Sequence, residues 1–411
     1  MTEAPSNSSN EKKHRFFNSR SAYAGIILLG IVSLMGDTVY EGSRGLVPDY
    51  LKFLGASAVI VGLVGGFGDF LGYALRLVSG VLADTTRAYW FFIFIGYGLI
   101  GTIPLLGFAN IWEIAIIFVL LERIGKALRS PARDTVLSVI GKKVGAGKAF
   151  GVHELLDQVG AVAGPLLVAF LMFSSSNDYQ LTFTFLLLPF LMLLIFLSYT
   201  YRRIGSQPIA ETKAAGDAKG KALGKPFYIY TFAVMINTIG LIPVALILFR
   251  ASTILEPERL QWMVPLIYVL IQGVDAVFAL LAGYAYDKYG VKFLTLPFII
   301  SVLPSVFAMV NTGLTALVIA AALFGIVLGM QESIYRAAVS AFTPIASRGT
   351  AYGIFNTAYG AGYLISGAIF GILIDVNAPF VATVIFVVIT QATATIALLQ
   401  TSQKSKDQTT P

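Results

Sequence analysis

The apolar residues of this chain fall in continuous blocks of about 20 residues, and that arrangement leaves few folds open. A helix of ~20 residues crosses the ~30 Å of hydrocarbon in a bilayer. No water is at hand there for backbone N–H and C=O groups, so a spanning segment must satisfy them itself, as a helix does. A membrane β-barrel would need alternating apolar and polar residues, whereas these runs are unbroken. The 411 residues are 56% hydrophobic and only 12% charged, too little charge to cover a soluble domain of this length. The sequence therefore predicts an all-α, polytopic membrane protein.

Twelve spans are expected. The first six lie near 22–44, 57–82, 90–108, 111–130, 148–173 and 181–200. The second six lie near 227–249, 262–286, 293–310, 316–339, 350–374 and 379–399. This divides the chain into an N-terminal tail (1–21), a six-helix bundle (22–200), a linker (201–226), a second bundle (227–400) and a C-terminal tail (401–411). The first twenty residues are polar and basic without an apolar core of their own, so the first span serves as the insertion signal. Basic residues accumulate on one side: Lys12, Lys13, Arg15 and Arg20; Arg133, Lys142, Lys143 and Lys148; Arg202 to Lys225; Lys288 and Lys292; Lys404 and Lys406. The opposite loops hold little beyond Lys52, Arg250 and Arg259, so both termini are expected in the cytoplasm, with the protein in the cell membrane.

Several function classes drop out. The net charge of +7 is spread between apolar runs and is not clustered with aromatics, which argues against nucleic acid. With no cysteine there is no disulfide, thiol nucleophile or thiolate metal site. His14 and His153 are too few for an imidazole-rich metal centre, and no nucleotide-binding glycine loop is present, so neither an enzyme nor a bound cofactor is expected.

The two halves repeat. Gly80-Val-Leu-Ala-Asp84 after span two is echoed by Gly283-Tyr-Ala-Tyr-Asp287 after span eight, and Arg133 by Arg336 at the same spacing. Ala149-Phe-Gly151 is echoed by Ala351-Tyr-Gly353 at nearly that spacing. Carriers are commonly built from such repeats, with the solute near the midplane between them. Gly283-x-x-x-Asp287-Lys288-x-Gly290-x-Lys292 resembles the loop signature of the major facilitator superfamily, G-x-x-x-D-(R/K)-x-G-x-(R/K). That resemblance covers 22–399. It implies a twelve-helix carrier of a small solute working by alternating access as a monomer, and a latch in which Asp287 pairs with Arg336 and Asp84 with Arg133. In the first copy Thr85 replaces the basic residue and Arg87 stands where glycine is expected.

Ionisable groups inside a membrane are costly unless paired or wetted, which makes them functional candidates. Asp37, Glu41 and Arg44 share one face of span one. Asp69 and Arg76 lie two turns apart on span two, and span four carries Glu122, Arg123, Lys126 and Arg129. The second half offers Asp275, Glu332 and Arg336, with Asn237, Gln272 and Asn356 as milder groups. Internal pairing, such as Glu122 with Lys126, would explain some of these charges without any function.

Arg123 resembles the buried arginine of the superfamily's R-x-x-Q-G motif, implicated in proton coupling, with Lys126 and Ala127 in place of its last two residues. The whole string from Arg123 to Asp134 resembles the R-x-G-K-x-x-R-x-P-x-R-D signature of one prokaryotic branch. Ser130-Pro131 reads as the start of a separate short helix. On span five, Gly160-x-x-x-Gly164-Pro165 resembles the motif of drug–proton antiporters, with Asp157 and His153 on the same face. These resemblances imply a proton-coupled exporter of a small organic or amphipathic solute, energised by the proton gradient. Asp37, Glu41 or Asp69 would carry the proton, with Asp157 as the alternative, and Arg76 or Arg123 would sense their charge; Arg44 and Lys126 join them in the expected cavity. Two rivals are an uptake symporter for an organic anion, with Arg44, Arg76 and Arg123 as the anion site, and a lipid or lysolipid flippase.

Overall fold

The computed structural model describes residues 19–142, 144–205, 222–310, 313–344 and 347–407. The first-half helices are α1 (Ser19–Phe53), α2 (Ala58–Thr86), α3 (Tyr89–Phe108), α4 (Trp112–Gly141), α5 (Ala146–Ser174) and α6 (Tyr179–Ile204). Those of the second half are α7 (Lys225–Glu258), α8 (Val264–Tyr289), α9 (residues 295–309), α10 (Leu314–Phe342), α11 (Arg348–Asp375) and α12 (Phe380–Asp407). Residues 1–18 of the expected N-terminal tail, with Lys12, Lys13, His14 and Arg15, lie outside the described residues, as do Lys143, 206–221 of the expected linker, with Lys213, Lys219 and Lys221, and 408–411 of the C-terminal tail.

Ten stretches are long and apolar enough to cross a membrane; they hold eleven crossings, and α4 makes the twelfth. One stretch, Gln261–Met309, turns back at Gly290 and contains both α8 and α9. The remaining crossing, α4, falls outside the ten because it carries Glu122, Arg123, Lys126, Arg129, Arg133 and Asp134. An even number of crossings places the start of α1 and the end of α12 on one face, the terminal face. The loops after α1, α5, α7 and α11 lie at the opposite face.

Two helices run past their expected ends. The first continues through Pro48 to Phe53, nine residues beyond Arg44. The fourth continues through Pro131 to Gly141, so no new helix starts at Ser130. Proline leaves the carbonyl four residues earlier without a donor, which ordinarily breaks a helix. Here the hydroxyl of Ser79 on α2 donates to the Ala127 carbonyl at 2.7 Å, and Ser130 itself bonds back to Lys126 O at 2.7 Å. Tertiary contact thus replaces the missing intrahelical bond.

The repeated loop signature has a backbone basis. Gly290 sits at φ 62°, ψ −151°, a region closed to side-chain-bearing residues. Its counterpart Arg87 turns the same way but at φ 55°, ψ 17°, which an L-residue can reach at modest cost. The first copy therefore dispenses with glycine by using a different ψ.

The halves meet along α2 and α11. A Cβ placed on Gly62 would stand 2.2 Å from Gly367 O, and one on Gly66 would stand 2.5 Å from Tyr363 O. The helices touch backbone to backbone, which in lipid is a main source of helix association. Toward the terminal face the seam continues with Tyr73 packed edge-on against Tyr359 at 5.5 Å and Leu77 beside Gly353. We expect Gly62→Val and Gly367→Val each to destabilise the detergent-purified protein by on the order of 1–3 kcal/mol, the range for overpacking. Gly72→Val, whose Cβ meets nothing within 4 Å, should leave the melting temperature nearly unchanged. Equal melting temperatures for all three would contradict this account of the seam.

Candidate functional site

The charges of α1, α2 and α4 converge on one ring, Tyr40. Arg44 Nη1 donates to Tyr40 Oη at 3.3 Å, and Arg123 Nη1 donates to the same oxygen. Lys126 Nζ stands 3.9 Å from the ring centroid, a cation–π contact. Around this hub the carboxylates are shared out. Asp69 accepts from Arg44 Nη2 at 3.2 Å and lies 3.5 Å from Arg123. Glu41 Oε1 faces Lys126 at 3.5 Å, while Glu41 Oε2 accepts from Tyr268 Oη of α8 at 2.6 Å. The cluster therefore reaches from the first half into the second through Glu41. Asp37, one turn earlier on α1, has no ion pair within 4 Å among the described residues.

The remaining first-half candidates form two further groups. Glu122 and Arg129, exposed by 1% and 2%, pair at 3.6 Å, and Arg129 lies over the Tyr97 ring at 5.1 Å. The expected pair of Glu122 with Lys126 is thus not made, because Lys126 turns to α1. Nearer the terminal face, Arg133 holds Asp157 at 3.5 Å, Ser33 Oγ at 2.8 Å and Asp134 at 3.0 Å. His153 is buried beside Asp157, with 3.4 Å between Nδ1 and Oδ2. Gly160 and Gly164 seat α5 on α1: their Cβ positions would stand 2.6 Å from Leu34 O and 2.4 Å from Thr38 O. Pro165 follows within the same helix. The expected antiporter-like motif is therefore the surface against which the Asp37–Glu41 stretch rests.

The latch expected from the loop signatures is not engaged. Asp84 accepts from Tyr89 Oη at 2.9 Å rather than from Arg133, which is occupied inside its own half. Asp287 is exposed and makes no ion pair with Arg336; Lys288 lies over the Tyr289 ring at 5.1 Å. Arg336 instead faces Tyr73 of α2, 5.9 Å from its centroid.

Several residues that bind the halves together were not expected from the sequence. Asp49 on α1 accepts from Ser252 of α7 at 2.5 Å and from Tyr179 at 2.8 Å, and Lys52 pairs with Glu256. Asp375 at the end of α11 accepts from Ala58 N at 2.8 Å and Val59 N at 3.0 Å, capping α2 across the interface. Asn177 accepts from Trp262 N and donates to Arg259 O. These ties, together with Glu41–Tyr268, all lie between the opposite face and the level of Glu41. The two halves are closed at the opposite face, and no ion pair among the described residues joins them at the terminal face.

In place of charge, the second half holds a neutral network. Asn237 donates to Ser301 and Gln391 at 2.8 and 2.7 Å and accepts from Tyr335 at 2.9 Å, while Gln331 receives Tyr359 at 2.9 Å. Asp275 is buried with Oδ1 unpartnered, and Glu332 is exposed.

The Major Facilitator Superfamily model matches residues 227–411, the second half. An uncharacterized protein of Mycobacterium tuberculosis is 36% identical over 375 residues, 90% of either chain. An uncharacterized MFS-type transporter of Methanocaldococcus jannaschii is 27% identical over 362 residues, 87% of this chain and 90% of that one. The chain matches the major facilitator superfamily through its second half and is similar over nearly its whole length to a transporter of that type. It is a membrane transporter of that type and not an enzyme. A crystal structure of the nucleoside transporter NupG superposes with a TM-score of 0.76 at 14% identity, covering 92% of this chain and 99% of that one, so the superfamily's fold is shared over nearly the whole length.

The superfamily fold makes the tie at the opposite face testable, because the chain has no cysteine of its own. In a Lys52→Cys, Glu256→Cys variant with a protease site placed in residues 206–221, a short bis-maleimide, whose reach replaces that of the two long side chains, should keep the cut halves joined on a denaturing gel. Halves that separate after this treatment would show that the face is not closed.

Proposed function

We propose that this transporter is a proton-coupled carrier that exports a small organic or amphipathic solute by alternating access, exchanging it for protons across the cell membrane. Glu41 carries the reading. One carboxylate is held by Lys126 of its own half and by Tyr268 of the other. A proton on Glu41 removes the charge that holds Lys126 and turns an acceptor oxygen into a donor, so the tie between the halves changes with protonation. A ligand shifts a conformational balance only if it binds the two states differently, and a group shared between moving halves meets that condition. Asp37, beside it without an ion pair, is the second proton acceptor. Asp69 holds Arg44 and Arg123 on Tyr40 until it is neutralised.

The accumulation of basic residues at the terminal face supports a cytoplasmic location for both ends. On that sidedness the closed opposite face is extracellular, and the terminal face, held by ring and apolar contacts without an ion pair, is the side that opens to the cytoplasm for an exporter to load. Export is favoured by the α5 motif, whose glycines position the acidic face of α1. The string Arg123 to Asp134 supports placement in the prokaryotic branch that shares it. The carrier works as a monomer with no bound cofactor, drawing on the proton gradient.

The test is proton movement in liposomes holding the purified protein, with a pH dye inside and candidate solutes added. Solute-dependent proton flux should fall at least about tenfold in Glu41→Gln, a loss of ~1.4 kcal/mol in coupling. It should fall less in Asp37→Asn. Flux unchanged in both variants would remove α1 from the proton path. Solute and protons moving together would replace exchange by symport of an organic anion, and solute moving without protons would leave a uniporter or lipid carrier.

A further inference from the structure

Two guanidinium groups, one from each half, converge where no carboxylate meets them. Arg76 on α2 lies 5.6 Å from the Tyr73 ring centroid, and Arg336 on α10 lies 5.9 Å from the same centroid. Neither has a carboxylate within 4 Å among the described residues, and Arg76 Nε is buried without a hydrogen-bond partner. The nearby acids are committed or out of reach. Asp69 is taken by Arg44 and Arg123, and Glu332, one turn before Arg336, makes no ion pair with it. Arg336 and Glu332 both have accessible surface although they lie within a spanning helix, and a charged group in that position calls for a polar cavity beside it. Arg44, Arg123 and Lys126, by contrast, each have a carboxylate partner, Asp69 being shared by the two arginines and Glu41 facing the lysine.

We propose that Arg76 and Arg336 bind the anionic group of the transported solute, a carboxylate or phosphate, with the Tyr73–Tyr359 pair flanking it. This rests on the reading of the chain as a carrier and narrows its substrate to small organic anions. Guanidinium suits such a site, since its fork of N–H donors matches two oxygens of a carboxylate or phosphate and it stays charged. The site also explains how binding drives closure. Two like charges from opposite halves repel, the more so away from bulk water, and this holds the terminal face open. An anion between them cancels the repulsion and gives both halves a shared ligand, so the terminal face closes on an occupied site and stays open over an empty one.

The experiment uses spin labels on Arg87→Cys and Tyr289→Cys, exposed positions at the terminal face of either half, in a chain with no other cysteine. The probes are benzoate and inorganic phosphate, with benzylammonium as the cationic comparison. Without anion the labels should report the longer separation. Benzoate or phosphate at millimolar concentration should shift the population to the shorter one, and benzylammonium should not. Arg76→Gln and Arg336→Gln should each weaken anion binding by calorimetry at least about tenfold, and the Lys replacements should retain part of it. The double Gln variant should populate the shorter separation without any anion. The proposal is overturned if neither anion binds, if benzylammonium acts equally, or if the double Gln variant matches the unsubstituted protein. Calorimetry needs no proton gradient, so lost proton flux with intact anion binding would count against the coupling scheme and not against this site.

Discussion

A charge carried into hydrocarbon must find a partner or water, and nearly every unusual feature of this protein follows from how its first half meets that demand. Helix α1 presents Asp37, Glu41 and Arg44 on one face and Asp49 on another, and no single neighbouring helix could answer all of them. Helix α4 supplies Arg123 and Lys126, α2 supplies Asp69, and Tyr40 places a neutral oxygen and an electron-rich face among the cations. The cost of this arrangement appears in α4, which carries more charge than an isolated spanning helix could take into lipid. It holds its place because it is packed among α1, α2 and α3.

The two bundles, alike in connectivity, divide the chemistry unequally. The first is built on ion pairs that can be broken by a proton or a competing ion. The second is built on amides and phenols around Asn237 and Gln331, whose hydrogen bonds do not change over the pH range in which carboxylates titrate. The carboxyls of the second bundle, Asp275 and Glu332, stand apart from this network. The two contacts that join these chemistries, Glu41 with Tyr268 and Arg336 with Tyr73, sit on either side of the middle.

Much of this was legible in the sequence. Hydrocarbon thickness dictates block length, so the spans could be read directly, and the 203-residue echo of Asp84 by Asp287 exposed the repeat. The acidic pair Asp37–Glu41 was marked by its setting in an apolar run. What could not be read was partnership. Glu122 lies four residues before Lys126, yet the structure pairs it with Arg129, because helical spacing offers possible neighbours and packing chooses among them. Asp49, Lys52 and Asp375 were hidden for a different reason. A span of about 20 residues closed the expected α1 near Arg44, which left the residues after it to a loop, and a helix-terminal aspartate gives no sign that it caps a helix some 300 residues distant. The one available signal was a further acidic residue, Asp49, in the apolar run that follows Arg44.

The glycine seam between α2 and α11 has a consequence for opening. Where Gly62 and Gly367 meet there is no side chain to bend or rotate, so the line of contact is set by covalent geometry. That contact lies in the first turns of α2, next to the Asp375 cap, so it belongs to the closure of the opposite face. A surface without side chains cannot yield by degrees: the backbones either touch or part. Parting them would expose bare helix backbone along a line several turns long, so this face has two states and little between them, whatever the strength of ion pairs such as Lys52–Glu256.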